Sequence, residues 1–203
     1  MDKLTQIYIL LDTHSPQTIE FLTADATWKL LICIILSSQT TDKQVMKVSE
    51  HLFKRFKTID DFKNASLDDI REEIKSIGFY NAKAKNIKET CKIISEKYNN
   101  EVPLDIEKLI ELPGVGRKTA NCIIGHSTNL GAIIVDTHFR RVVTRLGLTK
   151  NKDPEKIEKE FKKLLPPEKQ FRFSMTVNLY GRTTCHSQNP ECEKCYLREF
   201  CIV

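Results

Sequence analysis

A chain of 203 residues, 40% hydrophobic and 29% charged, has the balance of a soluble globular protein and can bury a core as one domain or two small lobes. Its longest strongly apolar run, Leu30–Leu36, is far short of the ~20 residues a bilayer-spanning helix requires, and the start MDKLTQIYILLDT does not read as a signal peptide, so an intracellular location is expected. A net charge of +5 favours a polyanionic partner without requiring one, and an intracellular setting leaves seven cysteines that need a use other than disulfides.

Leu4, Ile7, Ile9, Leu10 and Leu11 predict one amphipathic helix in residues 1–20 that ends before Ser15-Pro16. Residues 24–38 are apolar nearly all round, as in a helix at the centre of a bundle. The polar run Ser37-Ser38-Gln39-Thr40-Thr41-Asp42 ends it and offers Thr41 or Asp42 as the cap of a helix over 43–54. Helical stripes follow at 67–76, closed by Gly78 with Phe79-Tyr80 beyond, and at 81–97, ended by Asn99-Asn100. Asp153-Pro154 starts a helix whose buried face is Ile157, Phe161, Leu164 and Leu165, and a last helix over about 168–180 stops at Gly181. Few strands are in prospect, so the expected class is all-α, with joints at 98–105 and 126–134.

The densest chemistry lies in residues 105–145. A short helical pattern stops at Leu112-Pro113, Gly114-Val115-Gly116 follows, and a second helix begins at Arg117. Proline fixes φ while glycines permit positive φ and leave backbone uncovered, so a tight hairpin presents a helix start to solvent. Such a start suits an anion, and a nucleic-acid phosphate is a natural occupant. Basic residues dominate here: Arg117, Lys118, Arg140, Arg141, Arg145 and Lys150 stand against Glu111 and Asp136 within 111–150. Lys118 reads either as a solvated lysine or as an amine made reactive by the positive helix end, since only a neutral amine is a nucleophile. Ile133-Ile134-Val135 then delivers Asp136 as the N-cap of a new helix, with His138 at the same helix start.

Cys185, Cys192, Cys195 and Cys201 fall as C-x6-C-x2-C-x5-C. Short spacers let four thiolates converge on one centre, and an iron–sulfur cluster, zinc or free thiols are the alternatives. Cys33, Cys91 and Cys122 sit in helical patterns and read as core residues.

LPGVGRKTAN followed by VDTH resembles the helix-hairpin-helix plus Gly-Pro/Asp signature of the DNA glycosylase superfamily. With the cysteine run it resembles the endonuclease III family, the iron–sulfur branch, and similar segments recur from about residue 28 to 201. The resemblance implies two helical lobes, 21–133 as a bundle and 1–20 with 134–203 as the second, with the functional cleft between them and a C-terminal [4Fe–4S] loop held by the four cysteines. It implies a monomeric bifunctional glycosylase/AP lyase of base excision repair, acting in the cytoplasm (nucleoid-associated in a prokaryote) on oxidised pyrimidines and abasic sites in duplex DNA, with no membrane partner.

In such an enzyme Lys118 attacks C1′ to give a Schiff base, the strand breaks 3′ to the abasic site by β-elimination, and Asp136 takes the amine's proton or favours the charge growing on the sugar. Gln39 matches a gap-filling glutamine, and Phe79 stands where a leucine wedge is common. Gly114, Gly116, Arg117, His138 and Lys194 are the further DNA-contact candidates, His138 fitting a structural role equally well. Asp42 reads as lesion-pocket lining or as a helix cap. Three rival readings stand apart: an adenine-mismatch glycosylase, which normally lacks the lysine; a non-catalytic DNA-binding module that uses the hairpin for backbone contacts; and an iron–sulfur redox protein, which leaves Gly-Val-Gly-Arg-Lys without a use.

Overall fold

The computed structural model describes residues 1–128 and 131–203, all of whose regular elements are helices. In chain order they are α1 (Lys3–Thr13), α2 (Thr27–Ser37), α3 (Asp42–Arg55), α4 (Ile59–Asn64), α5 (Leu67–Ile74), α6 (Tyr80–Tyr98), α7 (Ile106–Ile110), α8 (Arg117–Ser127), α9 (Thr137–Arg145), α10 (Pro154–Leu164) and α11 (Pro167–Thr183). Two single 3₁₀ turns, Cys192–Lys194 and Arg198–Phe200, follow. The all-α expectation holds. The predicted joint at 126–134 includes residues 129 and 130, which lie outside the described residues.

The chain divides into two compact units, Glu20–Ser127 and Met1–Ile19 with Thr128–Val203. In the first, α2 buries Leu30, Leu31, Ile32, Cys33, Ile35 and Leu36 and packs against α3, α6 and α8, the central place its all-round apolar sequence predicts. Trp28, Phe53, Phe56 and Phe62 cluster beside it, with Phe56 and Phe62 centroids 4.8 Å apart. Helix α4 has too few residues to show periodicity, yet Thr58 and Asp61 cap it reciprocally: Asp61 N–H donates to Thr58 Oγ1 at 3.1 Å and Thr58 N–H to Asp61 Oδ2 at 2.9 Å.

The second unit forms around Phe139, Phe161 and Phe173, whose centroids are 5.3 to 5.9 Å apart. Ile7 and Leu11 of α1 are fully buried in the same core. Arg172 of α11 ties down the end of α1, donating to Asp12 Oδ1 at 2.6 Å and to the carbonyls of Pro16 and Gln17. Ile133 also belongs to this core, and Ile134 N–H donates to Ser174 Oγ at 3.0 Å. Thr128 and residues 131–133 therefore group with this unit, in whose core Ile133 is buried.

One helix end differs from expectation, and one of the two offered caps of α3 is the one used. Helix α11 runs through Gly181 to Thr183, and Gly181 acts by close approach: a Cβ there would lie 2.9 Å from His138 Cβ. The cap of α3 is Thr41, whose Oγ1 accepts from Gln44 N–H at 3.3 Å, while Asp42 is the first helical residue.

Candidate active site and DNA-facing loops

The hairpin between α7 and α8 is built as its residues dictate. Leu109 and Leu112 are buried, and Val115 N–H donates back to Leu112 O at 3.0 Å to close the turn. Gly114 has φ of +81°, and a Cβ on it would meet Asn86 Nδ2 at 2.9 Å, so both backbone and space demand glycine. Gly116 differs. Its φ is ordinary and the space around its Cα is open, so what it contributes is bare backbone at the start of α8. Positive φ is thus used at one glycine of the pair. Thr90 Oγ1, from α6, fixes the turn by donating to Pro113 O at 2.9 Å.

Lys118 is the second residue of α8 and is exposed; Arg117, before it, is partly buried and forms an ion pair with Glu107 at 3.5 Å. Cys122, one turn on from Lys118, is half-buried. Burial pushes its thiol up to about 11, against the opposing pull of the Lys118 charge. Cys33 and Cys91 are likewise raised by burial, to about 11 and about 12, as core thiols should be.

Two further loops of the same unit abut. Gly78 and the Gln39 carbonyl are neighbours: a Cβ on the glycine would lie 3.7 Å from that oxygen. Gln39 and Phe79 are both exposed and both left-handed, with φ of 54° and 59°. Left-handed backbone on a non-glycine residue costs about 1–3 kcal/mol and collects at functional sites. Phe79, 66% exposed, is a large ring left in solvent. The structure thus brings the Gln39 backbone against the Gly78-Phe79 turn, while Asp42 sits half-buried at the start of α3.

Asp136, in the other unit, caps α9: its Oδ1 accepts from Phe139 N–H at 2.7 Å. Its second oxygen accepts from Asn178 Nδ2 in a short contact, and Asn178 Oδ1 in turn accepts from Arg182 Nε at 2.9 Å. Asn178 and Arg182 escape sequence reasoning, since Asn178 meets Asp136 across 42 residues of chain. His138 has an internal partner as well, its Nδ1 lying 3.2 Å from an Arg141 amino group.

The basic residues around α9 are not all available to a polyanion. Arg141 donates to the carbonyls of Gly181 and Cys185, at 2.7 and 3.0 Å. Arg145 donates to His186 O at 2.6 Å, Ser187 O at 3.1 Å and Cys185 Sγ at 3.3 Å. These two guanidiniums hold the cysteine loop. Lys194, by contrast, is 83% exposed, with Glu191 at 3.8 Å.

Cys185, Cys192, Cys195 and Cys201 all line one cavity of about 100 Å³, whose wall includes Val142, Leu146 and Tyr180. Among the described residues no group of His, Cys, Asp or Glu is drawn tightly enough to hold a single metal ion. A tetrahedral zinc site needs all four sulfurs about 2.3 Å from one atom. A cubane cluster takes one thiolate on each of four irons and so holds its sulfurs further apart around a larger body. Four thiol donors around one partly apolar cavity fit the cluster. Tyr180 hydroxyl lies 2.8 Å from Cys195 Sγ, so a sulfur there has a hydrogen-bonding neighbour already in place.

The sequence profile of the HhH-GPD superfamily of base excision DNA repair proteins matches residues 32–167. The chain belongs to that family. Within it, the chain is similar to the endonuclease III of Synechocystis sp., 38% identical over 98% of this chain and 91% of that one, and of Escherichia coli K12, 36% identical over 99% and 96%. Its structure is similar to that of a non-covalent endonuclease III–DNA complex, with a TM-score of 0.92 at 36% identity, covering all of this chain and 96% of that one. A trapped endonuclease III–DNA covalent intermediate matches equally well, covering 97% of that chain. A thermostable thymine-DNA glycosylase shares the fold at 23% identity, with a TM-score of 0.84. Among the described residues no helix is long and apolar enough to cross a membrane.

Proposed function

We propose that this HhH-GPD protein is a bifunctional glycosylase/AP lyase that removes oxidised pyrimidines from duplex DNA, with Lys118 as the nucleophile. One observation carries the assignment: an exposed amine stands on the first turn of α8, directly behind a glycine hairpin that leaves backbone open to a phosphate. The likeness to an endonuclease III trapped covalently on DNA supports a bond between protein and sugar.

The steps follow from the groups present. Nζ of Lys118, as the neutral amine, attacks C1′ and the base departs with the glycosidic electron pair. Loss of the amine proton and opening of the sugar give an imine, a C2′ proton leaves, and the 3′ phosphate is expelled. Asp136 is the carboxylate that takes the amine's proton or stabilises the charge on the sugar. Asn178 and the Phe139 N–H orient its two oxygens. Gln39 fills the space left by the extruded nucleotide, its amide able to donate and accept, and Phe79 inserts as an aromatic wedge. Gly114, Gly116, Arg117, His138 and Lys194 meet the DNA backbone, and Asp42 lines the lesion pocket. The four cysteines hold a [4Fe–4S] cluster, which supplies a covalent staple for a loop with little apolar surface of its own.

Borohydride reduction on abasic-site duplex DNA tests the core of this reading. Wild type is expected to yield a covalent adduct and Lys118→Ala none; an adduct retained in the variant, or none in wild type, overturns it.

A further inference from the structure

Lys83 is 5% exposed on a helix whose next lysine, Lys85, faces solvent. Its ammonium has three protons and meets three acceptors: Leu36 O at 2.9 Å, Ser38 O at 2.6 Å and Thr40 Oγ1 at 3.2 Å. The first two are carbonyls at the end of α2, where a cation is well placed against the helix dipole. The third lies beyond Gln39, so the ammonium grips the chain on both sides of that left-handed residue. Capping of α2 alone would not call for this last bond.

The other end of the grip is equally placed. Lys83 N–H donates to Phe79 O at 3.1 Å, in the first turn of α6, so one residue is bonded through its side chain to the Gln39 turn and through its backbone to the Phe79 cap. Gln44 Nε2, on the first turn of α3, donates to Ser76 Oγ at 2.8 Å and ties the helix that follows the Gln39 turn to the segment that precedes Phe79.

We propose that Lys83 is a positioning residue for base extrusion, locking Gln39 and Phe79 into one rigid two-pronged wedge. The proposal rests on the glycosylase reading above. An abasic site offers no base to expel, so the wedge matters for lesion removal and much less for strand cleavage.

Lys83→Met keeps the length of the stem and removes all three donors. In single-turnover assays on duplex DNA with a ring-saturated thymine it is expected to slow base removal about tenfold, while incision of an abasic duplex stays within about twofold. Introduced into Gln39→Ala/Phe79→Ala, it should cause no further loss, because the side chains it positions are gone. Equal slowing on both substrates, no slowing on either, or a full additional loss in the double background overturns the proposal. Circular dichroism reports whether Lys83→Met folds. If it does not, Thr40→Val, which removes one acceptor, takes its place, with an expected loss of about threefold confined to base removal; an unchanged or non-selective rate sinks the idea. Wild type that neither removes the base nor traps on abasic DNA refutes the glycosylase reading instead, a result distinct from any of these.

Discussion

Gly114 and Gly116 look alike in sequence and do different work. At Gly114 a side chain would have to adopt φ of +81° and push into Asn86; at Gly116 it would meet open space. Gly114→Ala is therefore expected to destabilise the bundle unit by about 1–3 kcal/mol, since both backbone strain and a clash oppose it. Gly116→Ala should leave the melting temperature nearly unchanged, within about 0.5 kcal/mol, yet weaken DNA binding by covering the helix start. Thermal unfolding paired with DNA titration separates the two. Similar losses of stability in both variants would refute this division of roles.

Among elements, α6 organises the bundle's functional loops. Lys83, Asn86 and Thr90 follow one another at helical spacing on one face, and each meets a different part of the site: the Gln39 turn, Gly114 and Pro113. Phe79 caps the same helix. Helix α9 does the equivalent for the second unit, with Asp136 at its start and Arg141 and Arg145 reaching into the cysteine loop. Replacing Arg145 by Met removes three donors from that loop. Iron bound per protein is expected to fall and proteolysis within 185–201 to quicken, with Arg145→Lys, which keeps the charge and loses the fork, lying between. Wild-type iron content and protease resistance in the Met variant would show that the guanidinium is not what holds the loop.

At the scale of the whole molecule, a net charge of +5 is modest, and much of the basic density around α9 is spent internally. DNA affinity should therefore depend on few phosphate contacts. Removing Arg117 or Lys194 as alanine is expected to reduce the slope of log K against log salt by about one each, uniformly across DNA sequences. An unaltered slope for both would take these residues out of the interface.

Legibility followed chain distance. The hairpin, the Asp136 cap and the Asp153-Pro154 start of α10 were readable because each is made within three or four residues, where backbone geometry and side-chain chemistry act directly. The same holds for the cysteine spacing. Lys83 could only be read as one more lysine, since its acceptors lie 43 to 47 residues away. Asn178 finds Asp136 across 42 residues, and Arg141 finds Cys185 across 44. Sequence alone determined the all-helical class, most of the longer helices and the inventory of reactive groups, because those depend on local dihedral and capping preferences. Tertiary structure alone decided which charges are buried, which loops are clamped together and which unit residues 131–133 join, because burial and long-range pairing depend on what the rest of the chain packs against each residue.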